Sequence, residues 1–75
     1  MPHIVVKCYP GRTEEQKKEA AEKITKVIEE TFGSKASSIS VVIQEVAPED
    51  WKEQVWDTEI APNAEALYKE PGYQM

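Results

Sequence analysis

Between Thr13 and Gly33 the chain carries one uninterrupted pattern, and nothing else in it restricts the fold as much. Thr13 is followed three residues later by Gln16, the spacing of a capping box that opens a helix. Ala20, Ala21, Ile24, Val27, Ile28 and Phe32 then recur at three- and four-residue intervals, which gives that helix one apolar face. Glu14–Lys18, Glu19–Lys23 and Glu22–Lys26 are i,i+4 pairs with the acid first, the favourable order on a solvated face. Gly33 stands where a helix C-terminus wants a left-handed residue. On either side lie β-rich runs. Residues 3–9, HIVVKCY, read as a well-buried strand, and residues 37–46, SSISVVIQEV, as a second. Two strands joined by one long helix form a βαβ unit with parallel strands and a right-handed crossover. The expected class is therefore α/β.

The connections are less uniform. Residues 10–12, PGR, are turn chemistry. APEDW at 47–51 reads as a turn or a single helical turn, with Pro48 suited to its first position. Residues 52–60 fit an extended or a helical segment, and both readings stay open. PNAEALYKE at 62–70 reads as a short C-terminal helix starting at Pro62 and ended by Pro71 and Gly72. No linker, repeat or low-complexity stretch divides the chain, so residues 1–75 are expected to form a single domain.

That domain is too small to stand alone. A chain of this size rarely gains more than roughly 3–5 kcal/mol from its own core. A two-stranded parallel sheet with one helix is not stable by itself. The single cysteine excludes an internal disulfide, and no paired Cys/His spacing suggests a metal site. With 40% hydrophobic residues, pairing copies into a larger sheet is the remaining route to burial, so a homo-oligomer, at least a dimer, is expected. Fourteen acidic against nine basic residues give a net charge of −5 and argue against a nucleic-acid partner, which needs clustered cations. No apolar run has transmembrane length and no signal-peptide core is present, so no membrane partner and a cytoplasmic location are expected.

Candidate chemistry begins at position two. If Met1 is trimmed, Pro2 becomes a secondary amine at the chain terminus, a base and nucleophile that no internal residue supplies. Burial and a nearby cation each disfavour an ammonium ion and lower an amine's pKa, which brings it toward the working pH of a general base. The plainer reading is a proline at a frayed end. Arg12 lies just ahead of the helix N-terminus, where a cation opposes the helix dipole. It is either a solvated arginine or, with the helix amides, a carboxylate site. Trp51 follows a proline-containing turn and either walls a pocket or belongs to the small core or an interface. Trp56 and Tyr73 carry the same two readings, with the interface favoured. Cys8 reads as a small buried hydrophobe. His3, the only histidine, either titrates beside Pro2 or caps a strand end. The serines at 34, 37, 38 and 40 have no base partner other than His3, which disfavours a catalytic triad.

Taken in order, an initiator methionine, Pro2, a strand, GRTEEQK entering a long helix, SSISVVIQEV and an aromatic at Trp51 resemble the 4-oxalocrotonate tautomerase family across nearly the whole chain. The tail WDTEIAPNAEALYKEPGYQM resembles the dimeric, phenylpyruvate-type branch. The resemblance implies a small α/β fold completed by dimerisation and a cofactor-free isomerase. It implies Pro2 as the catalytic general base that moves a proton between carbon and oxygen of an enol. It also implies Arg12 as the group that binds the substrate carboxylate, and Trp51 as the aromatic lining the pocket. One position departs from the pattern: dicarboxylate-using members carry a second arginine where this chain has Ser40. A 2-oxo acid with one carboxylate and an apolar or aromatic tail is therefore the implied substrate. Relatives with hydratase or dehalogenase chemistry, which recruit further polar groups, are one alternative. A dimeric ligand-binding module without catalysis is another.

Overall fold

A computed structural model describes residues 1–75. The chain clusters into two compact units, Met1–Glu45 and Val46–Met75. The first contains strand β1 (His3–Cys8), helix α1 (Glu14–Phe32) and strand β2 (Ser40–Glu45). The strands are parallel and pair in register from His3 opposite Ser40 to Cys8 opposite Glu45. This is the expected βαβ arrangement.

The long helix forms as its sequence dictates. The Thr13 hydroxyl accepts from the Gln16 amide at 3.1 Å, and the Gln16 side chain accepts from the Thr13 amide at 2.9 Å, completing the capping box. At the other end Gly33 takes φ 72°, and its N–H donates to the Glu29 carbonyl at 3.1 Å. A residue with a Cβ resists that left-handed conformation. Ala21, Ile24 and Ile28 are half-buried, whereas Val27 and Phe32 remain 57% and 69% exposed. The apolar stripe read from the sequence is thus wider than the surface this single chain covers.

Side chains alternate along a strand, which sorts β1 and β2 into two faces. Val6, Cys8 and Ile43 share a groove with Gln16, Lys17 and Ala20, so even positions of β1 and odd positions of β2 face α1. His3, Val5, Ser40 and Val42 belong to the opposite face. The Lys17 ammonium lies 2.8 Å from Glu14 and 3.7 Å from Glu45, linking the first turn of α1 to the end of β2. The Glu14 hydrogen bond, together with the charge of both carboxylates, raises the Lys17 pKa above its ordinary 10.5.

Several boundaries differ from the sequence expectation. Strand β1 ends at Cys8 rather than Tyr9. Strand β2 starts at Ser40 because Ala36–Ser38 winds into a 3-10 turn. There the Ser38 hydroxyl donates to the Lys35 carbonyl at 2.9 Å, a local bond that competes with strand pairing.

The larger correction concerns the second unit. Helix α2 (Pro48–Trp51) starts at Pro48 as expected and runs on as a π-helix through Lys52–Ile60. A 3-10 segment then covers Ala61–Ala66, broken at Asn63 (φ −111°, ψ 22°). The short C-terminal helix expected over 62–70 is thus present as this 3-10 segment, which ends at Ala66 rather than reaching residue 70, and helical chain also fills residues 52–60. The apolar residues of this stretch recur at five-residue steps, Trp51 to Trp56 to Ala61 and Val55 to Ile60. That spacing matches i→i+5 hydrogen bonding, and the Ala61 N–H indeed donates to the Trp56 carbonyl. Val55, at 5% exposure, is the single buried hydrophobic residue of the chain.

Candidate active site

Pro2 is half-buried immediately ahead of β1, while Met1 before it is fully exposed. The parallel ladder places Ser40 beside it. The Ser40 amide donates to the Pro2 carbonyl at 3.1 Å. The Ser40 hydroxyl lies 2.6 Å from Nδ1 of His3. Sequence reasoning named His3 as the only base partner open to the serines at 34, 37, 38 and 40, but did not single out Ser40 among them. The neighbour of a strand residue is set by register, which no local motif announces.

Arg12 follows the far end of β1. The chain reverses at Gly11, whose φ of 126° is disfavoured for any residue with a Cβ. The Arg12 guanidinium donates to the Tyr9 carbonyl at 3.1 Å and is otherwise exposed. It has no carboxylate partner, since every ion pair of the protein is made by a lysine. A guanidinium has five donors in a planar fork, so most of that fork is available to a carboxylate. The helix end behind it contributes little. Its Gln16 amide is already capped, and Glu14 and Glu15 occupy the first turn. Beside Arg12 lies a groove of about 180 Å³ with Val6, Cys8, Ala20 and Ile43 in its walls and Lys17 at its edge.

Pro2 and Arg12 are not brought together within one chain. Six residues of extended strand separate them, and at about 3.3 Å per residue that amounts to roughly 20 Å. A Pro2–Arg12 corner within a single copy is therefore ruled out by the length of β1.

Trp51 belongs to the second unit, where it ends α2 and is half-buried. Its indole N–H donates to the Tyr73 hydroxyl at 3.0 Å. The Tyr73 ring sits 5.3 Å from that of Trp56, tilted by 40°. Tyr73 thus joins Trp51, which the family resemblance puts in the pocket, to Trp56, for which the sequence favours an interface. No helix is long and apolar enough to cross a membrane.

Residues 2–55 match the tautomerase enzyme family. The chain is 51% identical to Tautomerase PptA of Enterobacter sp. (strain 638) over 76 aligned positions that span all of both proteins. It is 53% identical to Tautomerase PptA of Escherichia coli O157:H7, again over the full length of both. Among solved structures, YwhB, a homologue of 4-oxalocrotonate tautomerase, is 41% identical with a TM-score of 0.60, over 61% of this chain and 75% of that one. TomN, a 4-oxalocrotonate tautomerase homologue of the tomaymycin biosynthetic pathway, superimposes with a TM-score of 0.65 at 30% identity, over 67% and 77% of the two chains. Family match, full-length relatives and shared βαβ architecture agree, and the chain belongs to the tautomerase family as an isomerase that interconverts keto and enol forms.

Proposed function

We propose that the substrate is a 2-oxo acid with one carboxylate and an aromatic or apolar tail, for which phenylpyruvate enol is the reference compound. The observation that carries this reading is the placement of Pro2: half-buried at a strand start, behind a fully exposed Met1 that trimming removes. Once Met1 is gone, the neutral amine of Pro2 takes the enol hydroxyl proton. The O–H electron pair re-forms the carbonyl, and the carbon–carbon double bond takes the proton back from the ammonium at carbon. Atoms and charge balance without a cofactor. The same amine removes and returns the proton, so proximity supplies much of the acceleration. Arg12 holds the carboxylate through a charge-assisted fork. Trp51 lines the pocket with an aromatic surface, a role that rests on the family pattern. Ser40 supplies no second cation, which favours a monocarboxylate.

The distance along β1 makes the site a property of two copies. The outer edge of β1 has no strand partner within the chain. Antiparallel pairing of two β1 edges about a two-fold axis sets the Pro2 end of one copy beside the Arg12 end of its partner. A dimer completes both the sheet and the site.

Mixing tests this directly. Pro2→Ala and Arg12→Ala chains are each impaired alone, but unfolding and refolding them together gives mixed dimers with one intact site. Activity then returns to about a quarter of the native level, because half of the dimers are mixed and each carries one good site of two. Recovery no greater than the average of the separate variants contradicts a shared site.

A further inference from the structure

We infer that Ser40 and His3 form a positioning clamp for the Pro2 amine, a role that rests on Pro2 being the base. A base must keep its nitrogen lone pair unbonded, so Pro2 cannot be anchored through the atom that reacts. A trimmed terminus has no preceding residue either, and chain ends fray unless something ties them down. The remaining handles are the Pro2 carbonyl and the next residue. Both lead to Ser40. Its amide holds the Pro2 carbonyl at 3.1 Å, and its hydroxyl meets Nδ1 of His3 at 2.6 Å.

The two ties act at right angles to each other in effect. The amide bond lies within the sheet and fixes how far the terminus extends along β2. The His3 contact lies on the sheet face away from α1 and fixes rotation of the strand about its own axis. His3 and Ser40 are register partners, so the clamp closes at the first rung of the ladder. Together they restrict the amine to one direction, which is what effective proton transfer requires. His3 and Ser40 do not touch the reacting atoms. They act through Pro2.

The test uses Met1-trimmed full-length protein with phenylpyruvate enol and four substitutions. Ser40→Ala and His3→Leu remove one side of the pair. Ser40→Thr and His3→Asn keep a polar atom in the same place. Ser40→Ala and His3→Leu are each expected to lower kcat about five-fold, the scale of one hydrogen bond, with KM unchanged. The double variant loses no more than either single one. Ser40→Thr and His3→Asn stay near the native kcat. Independently of turnover, amide exchange at Ser40 quickens several-fold in His3→Leu and not in His3→Asn. Native kcat in both disruptive variants, additive losses, or unchanged Ser40 exchange in His3→Leu would overturn the clamp. Absence of Pro2-dependent turnover in the native protein would instead sink the catalytic reading, and Ser40 exchange alone would then decide whether the terminus is tied.

Discussion

Arg12 is the only arginine of the chain, and it is a cation without an anion. The lysines that make ion pairs find carboxylates, whereas Arg12 is held by a backbone carbonyl beside an apolar groove. A charge-assisted bond is worth more than a neutral one. Arg12→Ala is therefore expected to raise KM for a monocarboxylate substrate about ten-fold or more, and to leave the urea midpoint unchanged. Arg12→Lys recovers part of the loss, since an ammonium supplies charge without the planar fork. Steady-state kinetics on the two variants check this, and an unchanged KM in Arg12→Ala excludes the assigned role. At this scale the sequence was informative where chemistry resides in residue type. A proline at position two and a lone arginine at a turn are visible as such. Ser40 was not, because its importance comes from what the ladder sets opposite it.

Among the elements, α1 was the most legible, with its capping box and left-handed glycine both found in place. Local hydrogen bonds and a 3.6-residue period are written in neighbouring residues. The tail was legible only in part: its apolar spacing of five left residues 52–60 open between strand and helix, and the helical segment around Pro62 is interrupted at Asn63 and stops at Ala66. The βαβ unit also carries a pH signature at its Lys17 link. The pKa of Lys17 is raised in the folded chain, chiefly by Glu14 and secondarily by Glu45. The ammonium is thus favoured by folding, so its contribution is fully present below the unfolded value and is lost as pH rises through the folded one. Stability should fall more steeply above pH 10.5 in the native chain than in Lys17→Met. Urea melts across that window measure the difference, and parallel curves would contradict the assignment.

For the molecule as a whole, one buried hydrophobic residue is too little to hold a fold together. Length and the single cysteine already pointed to association, and the exposed Val27 and Phe32 agree with it. What the sequence did not disclose is that the length of β1 sets Pro2 and Arg12 at opposite ends of one copy. Separation in space follows from strand rise, not from adjacency of motifs. Whether the chain works through a free terminal proline is read from the pH–rate profile for phenylpyruvate enol ketonisation, with Met1-trimmed protein run beside a chain extended at its N-terminus so that Pro2 stays an amide. A terminal-proline base gives a rate that rises with pH as the amine loses its proton, and no rate above buffer in the extended chain. Equal rates in the two proteins, or a trimmed protein no faster than buffer, would contradict it.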